Sequence, residues 1–186
     1  MKRLFDLILA VVAIFFMLVP FIFIWLAVRF TSQGPTLFWS DRIGKGNVIF
    51  RMPKFRTMKL GTPLVASHLL VAPKIYLTPI GSFLRKTSLD EIPQLWNILI
   101  GNMSFVGPRP SLCNEHDLIF LRMEAGVDQL LPGLTGWAQV NGRDELTVSQ
   151  KVDLDVEYMK HQSLFFDITI LWMTFLKVIR CEGVSH

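Results

Sequence analysis

The chain has 186 residues, a net charge of +4, a hydrophobic fraction of 51% and a mean hydropathy of +0.42. That length holds one domain plus a membrane element, and the hydropathy calls for apolar surface beyond a single buried core. The mild positive balance suits an anionic membrane surface or a phosphate-bearing substrate. It is too weak to indicate nucleic acid, and no basic-aromatic run is present. Cys113 and Cys181 match no metal or redox spacing. They are expected as free thiols in a reducing compartment, which puts the polar domain in the cytoplasm. His68, His116, His161 and His186 are scattered, so no zinc site is expected.

The first predicted element is apolar. Leu7 to Val28 is 22 residues without a charge, a helix of about 33 Å against a hydrocarbon core of about 30 Å. The basic start at Lys2 and Arg3 also fits a secretory signal, but the run is long for one and no small-residue cleavage site closes it. Pro20 interrupts it, and proline withholds a helix hydrogen bond and kinks the axis. Lys2 and Arg3 lie at one end and Arg29 at the other, so the charge bias sets no orientation. A kinked span and a helix that enters, bends at Pro20 and returns to the same face remain equally compatible with these residues.

A hairpin is predicted next. Leu37-Phe38-Trp39 and Val48-Ile49-Phe50 flank the turn-rich Gly44-Lys45-Gly46-Asn47. Arg51, Lys54, Arg56 and Lys59 then cluster, either as a solvated or membrane-facing edge or as a phosphate site. Residues 60–79 contain Gly61, Pro63, Pro73 and Pro79 and read as a loop, with Leu64, Val65, Leu69, Leu70 and Val71 able to rest on a bilayer.

The most informative stretch is Ser88-Leu89-Asp90-Glu91-Ile92-Pro93-Gln94-Leu95-Trp96-Asn97. Ser88 and Glu91 have capping-box spacing, but that start puts Pro93 at the fifth helical position, where an N–H is needed. With Asp90 as the N-cap, Pro93 falls at the third position and its missing N–H does no harm. Asp90 is then either an ordinary helix cap or a functional carboxylate. The surroundings favour the second. Arg85 and Lys86 lie upstream, Gly107-Pro108-Arg109-Pro110 follows, and a helix N-terminus binds phosphate. The last predicted helix, Leu164 to Ile179, has Asp167 and Lys177 as its only charges. It is about 24 Å long, short for a span, and reads as a core helix or one lying in the membrane interface.

Five runs carry a resemblance. They are Lys54-Phe55-Arg56-Thr57-Met58; Arg85 with Ser88 to Leu95; Gly101-Asn102-Met103-Ser104-Phe105-Val106-Gly107-Pro108-Arg109-Pro110; Pro132-Gly133-Leu134-Thr135-Gly136-Trp137-Ala138-Gln139-Val140-Asn141-Gly142-Arg143; and Asp155-Val156-Glu157-Tyr158. With the N-terminal helix they cover nearly the whole chain. It resembles the bacterial sugar transferases, the monotopic polyprenyl-phosphate phosphoglycosyl transferases, in the minimal form without an added multi-span domain.

The resemblance implies a mainly α, membrane-associated fold with a small β-hairpin. Residues 1–30 would form a re-entrant helix bent at Pro20, and residues 31–186 a catalytic domain with interfacial helices, on the cytoplasmic face of the bacterial inner membrane. It implies transfer of a phosphosugar from a UDP-sugar to undecaprenyl phosphate, with release of UMP, through a phospho-aspartyl intermediate. That would be the first membrane step of glycoconjugate or surface-polysaccharide assembly. Asp90 maps to the nucleophile, Glu91 to a base or metal-positioning neighbour, and Mg²⁺, held at Asp90 and Glu91, to the cofactor. Arg85, Arg109 and Arg143 are candidates to hold phosphates, because guanidinium pairs with them bidentately; Lys54 and Arg56 join them. Membrane lipid and, as a homodimer, a second copy of the chain are further candidate partners. A membrane-anchored scaffold and a lipid-diphosphate phosphohydrolase are the alternatives. Two departures stand out: Val19 before Pro20 replaces the family's serine, and Leu131 stands where arginine is common, a contact that Arg122 is a candidate to replace.

Overall fold

The computed structural model describes residues 1–63, 73–142 and 145–180. The fold is mostly helical with a small antiparallel sheet, as expected. Helix α1 runs over Lys2–Thr31 and stays helical through Pro20, which withholds one hydrogen bond without ending the helix. Its length and apolarity are those of a membrane helix.

One stripe of α1 faces the rest of the protein. Asp6, Ala10, Ile24 and Val28 are buried, and Leu9, Ala13, Ile14 and Phe21 pack beside them at helical spacing. The opposite face exposes Leu4, Ile8, Val11, Phe15, Phe16, Val19, Phe23 and Phe30. Both ends are tied down. Near the start, Arg3 donates to the carbonyls of Ile98 (2.6 Å) and Leu99 (2.9 Å), and Asp6 accepts from Ser104 Oγ and Phe105 N. Near the end, Ile24 and Val28 pack with Phe55 and Leu84. Full burial of such aliphatic side chains stabilises by about 1.5–3 kcal/mol each.

The hairpin forms where its turn signals predict it. Strand β1 (Leu37–Ile43) pairs antiparallel with β2 (Ile49–Phe55), joined through a 3-10 turn at Lys45–Asn47. The strands extend past the expected residues, so β2 carries Lys54, opposite Phe38. Residues 64–72 of the expected loop at 60–79, with Leu64, Val65, Leu69, Leu70 and Val71, lie outside the described residues; a 3-10 turn covers Pro73–Tyr76, and the short helix α2 then spans Gly81–Lys86. A Cβ at Gly81 would stand 2.2 Å from the Thr57 carbonyl oxygen, so glycine lets α2 dock directly on the strand's extension.

The expected helix cap at Asp90 is corrected. The chain enters through Ser88 in the left-handed region (φ 55°), forms a 3-10 helix over Leu89–Gln94 and only then becomes α-helical as α3 (Leu95–Ile100). Asp90 is the second residue of the 3-10 segment, and Ser88 makes no capping bond with its side chain. The tighter winding admits Pro93 inside the segment, so the expected shift of the helix start to Asp90 does not occur.

Strand β3 (Ser104–Val106) pairs parallel with β4 (Gly133–Thr135), a pairing the sequence pattern did not predict. Between them lies α4 (His116–Glu124), and α5 (Trp137–Val140) follows. Helix α6 (Val148–His161) starts with a Thr147–Gln150 capping box, and α7 covers Leu164–Arg180. Asp167 and Ile170 of α7 are buried, while Phe165, Ile168, Trp172, Phe175 and Ile179 form an exposed apolar stripe. The main core gathers Met52, Leu95, Ile98, Met103, Phe105, Val106, Tyr158 and Ile170 under α1.

Candidate active site

Four segments meet at the Asp90–Glu91 pair. β2 brings Lys54, α2 brings Arg85, the 3-10 segment brings the two carboxylates, and the turn after β3 brings Arg109. Lys54 Nζ lies 2.6 Å from Glu91 Oε1, and Arg109 Nη1 lies 3.9 Å from the same oxygen. Arg85 Nε donates to Thr57 Oγ1 at 2.9 Å, which fixes the guanidinium beside the pair. The Arg109 turn is held by backbone packing: a Cβ at Gly107 would meet the Leu131 carbonyl oxygen at 2.3 Å.

Asp90 is only 7% exposed. Burial pushes its carboxyl up to about 6, with Glu91 adding to the rise while Lys54 and Arg85 oppose it. Its carboxylate accepts from its own backbone N–H. Burial lowers the Lys54 ammonium, against the pull of Glu91 and Asp90, and lowers the Arg85 guanidinium. Ser88 two residues earlier holds a left-handed backbone, which costs about 1–3 kcal/mol in a non-glycine residue and gathers at functional sites. Gln94 Nε2 and Asn97 Oδ1, just beyond the pair, are buried without partners.

The other expected site residues fall elsewhere. Arg56 was expected among the phosphate ligands. It is buried and its guanidinium donates to the Ser32 carbonyl and hydroxyl and to the Gln33 carbonyl, so it clamps the end of α1 instead. Arg143 lies outside the described residues. Arg122, a candidate for a headgroup contact in place of Leu131, is buried and gives two N–H groups to Asp155 at 2.7 and 3.0 Å. Its Nη1 donates to the Arg109 carbonyl at 2.8 Å, so it supports the Arg109 turn from behind.

Arg42 was missed. It donates to the Pro110 carbonyl at 3.3 Å, and burial, reinforced by Arg109, pushes it down to about 10. Nothing local in the sequence marks it; the strand pairing of β1 brings it there. Cys113 is a free thiol, and Cys181 lies outside the described residues.

Among the described residues no three His, Cys, Asp or Glu side chains gather as a metal site. Magnesium does not need three: it is held by one or two carboxylates plus substrate phosphates and water. Asp90, with its raised carboxyl, and Glu91 beside it supply hard oxygen donors of that type. The residues present therefore fit the ion.

A carboxylate pair, Asp90 buried and Glu91 partly so, thus has Lys54, Arg85 and Arg109 close by, in a chain whose first helix is apolar enough to enter a bilayer. The chain belongs to the bacterial sugar transferase family, which it matches over residues 1–181. It is 38% identical to the uncharacterized sugar transferase EpsL of Bacillus subtilis, over the whole chain and 91% of that protein. It is 34% identical to the exopolysaccharide production protein ExoY of Rhizobium meliloti, over 98% of the chain and 87% of that protein. It is also 37% identical to the UDP-glucose:undecaprenyl-phosphate glucose-1-phosphate transferase of Escherichia coli, over 95% of the chain but 40% of that protein.

Proposed function

We propose that the protein is a phosphoglycosyl transferase that moves a sugar phosphate from a UDP-sugar to undecaprenyl phosphate, releasing UMP, through a covalent intermediate on Asp90. The observation that carries this reading is the buried Asp90 carboxylate, raised to about 6 and set among Lys54, Arg85 and Glu91. The name of the Escherichia coli relative supports the substrates.

An Asp90 carboxylate oxygen attacks the phosphorus that bears the sugar. A P–O bond forms to Asp90, and the P–O bond to UMP breaks with its electron pair leaving on UMP. An oxygen of the lipid phosphate then attacks the same phosphorus, and the Asp90 carboxylate departs with the bonding electrons, ready for another cycle. The protein contributes orientation and charge more than bond chemistry. Arg109 and Arg85 would hold phosphate oxygens, and Lys54 pairs with Glu91 beside Asp90. Bound at Asp90 and Glu91, Mg²⁺ would neutralise charge on the diphosphate.

The topology we favour is re-entrant, with both ends of α1 on the cytoplasmic face of the bacterial membrane. Anchoring of both ends to one body supports it: Arg3 and Asp6 bind the α3–β3 region, and Arg56 binds Ser32 and Gln33. A cysteine at position 2, with Cys113 and Cys181 removed, should stay unlabelled from the periplasm; labelling there means that α1 spans.

The reaction is tested by UMP release from a panel of UDP-sugars, with and without undecaprenyl phosphate. Acceptor-dependent UMP and a diphosphate-linked lipid are expected. No UMP with any sugar points to a scaffold, and free sugar phosphate without lipid product points to a hydrolase; either result overturns the reading.

A further inference from the structure

Between α1, α7 and the carboxylate pair lies a cavity of about 380 Å³. Met17 of α1 and Leu171 and Phe175 of α7 give it apolar walls. Lys86 and Glu91 line it on the side of the carboxylate pair, and Lys177 adds a second cation from α7. We propose that this cavity seats the phosphate end of the polyprenyl acceptor, with the first isoprene units along Met17, Leu171 and Phe175 and the phosphate drawn to Lys86 and Lys177. The inference rests on the transfer reaction proposed above and names the path by which its lipid substrate arrives.

Three observations point to that occupant. Ala13, Met17, Leu171, Phe175 and Val178 give the walls between α1 and α7 the apolar surface an isoprenoid needs. The cations are lysines, compact point charges that suit a monoester phosphate. The cavity also shares Glu91 with the catalytic pair, so a lipid phosphate held in it lies close to that pair. Its two helical walls belong to the elements with exposed apolar faces, α1 and α7, so a chain leaving the cavity continues along surface suited to acyl chains.

An ordinary phospholipid shares this chemistry of phosphate and hydrocarbon, and the test separates the two. The full-length protein in mixed micelles is irradiated with a polyprenyl phosphate carrying a diazirine in the isoprene units nearest the phosphate. Labelling of Met17, Leu171 or Phe175 is expected, displaced by undecaprenyl phosphate but not by phosphatidylglycerol, undecaprenol or UDP. Labelling elsewhere, equal displacement by phosphatidylglycerol, or displacement by UDP overturns the proposal. In the second arm Ala13→Phe fills the cavity and Lys177→Gln removes a cation. Each should raise the acceptor KM by about tenfold or more, as loss of one such contact would, and by far more than it slows UMP release in a single turnover without acceptor. An unmoved acceptor KM in both variants also overturns it. Labelling needs no turnover, so the two ideas fail separately. Cavity labelling with no UMP from any UDP-sugar keeps the lipid site and removes the transfer; turnover with labelling elsewhere does the reverse.

Discussion

The protein buries carboxylates in two places and treats them differently. At the rear, Asp155 accepts two N–H groups from Arg122, and Asp167 accepts from Lys2 Nζ and from the Tyr158 hydroxyl, each at 2.7 Å. The Tyr158 oxygen also lies 3.1 Å from the Val106 carbonyl oxygen, which shares its single proton. At the front, Asp90 has cations nearby but, among the described residues, accepts from no side chain, and Gln94 and Asn97 a few positions on keep buried atoms unpartnered there. Burial raises both Asp90 and Asp155. What separates them is hydrogen bonding: a satisfied buried charge fixes geometry, whereas an unsatisfied one retains lone pairs for phosphorus or a metal ion.

The sharpest contrast comes from removing the front carboxylate. Asp90→Asn should lower turnover by more than about 10³-fold, since an amide is a poor nucleophile, and mass spectrometry should find the phosphosugar adduct on Asp90 in wild type alone. Stability should move the other way. Because the folded carboxyl is raised to about 6, its favourable contribution is complete below the usual carboxylate range and is lost as pH rises through about 6. At neutral pH the asparagine variant should therefore unfold later, by on the order of 1–3 kcal/mol in a denaturant titration. Substantial turnover by the purified variant would remove the assignment.

Breaking the rear cluster should do the opposite. Arg122→Ala strands Asp155 in the core and should cost about 3–5 kcal/mol, read from the denaturant midpoint. An unchanged midpoint would mean that the cluster holds nothing. Arg109→Ala comes next: its guanidinium is 36% exposed, so the fold should survive while kcat/KM falls about 10- to 150-fold. Arg109→Lys should remain impaired, because an ammonium lacks the planar fork; near-normal turnover would make Arg109 a turn residue. The smallest effect is titration. With the nucleophile ionising near 6, kcat/KM should rise with pH and be about tenfold lower at pH 5 than at pH 7. Asp155→Asn should leave that acid limb where it is. A limb that moves with Asp155 would merge the two regions.

The front of the molecule was the more legible in sequence. A 22-residue uncharged run, a glycine-rich turn between apolar triplets and an Asp-Glu pair flanked by Arg85 and Arg109 are local signals, and each lies near its expected element. The 3-10 start at Ser88 escaped because capping rules assume an α-helix, which Pro93 forbids there. Arg56 resembled Lys54 in type and spacing, but it lies just past the end of β2, where strand alternation no longer aligns it with Lys54, and its guanidinium turns to Ser32 and Gln33. The β3–β4 pair is three residues per strand, too short for a period to register. The two rear ion pairs join residues 33 and 165 positions apart, and such partners leave no mark on the sequence near either one.

The tie between Lys2 and Asp167 has a consequence in time. The helix that contains Lys2 is made well before its anchor, which follows 165 residues later. At about 5–20 residues per second, the ribosome needs roughly 8–33 s to supply it. Over that interval α1 has no finished body to lie against, and an apolar helix in water seeks the bilayer at once. The later contacts at Ile98, Ser104 and Asp167 therefore engage a helix that has already been made. Assembly of this enzyme is a docking onto α1, with α7, made much later, closing the fold on it through Asp167.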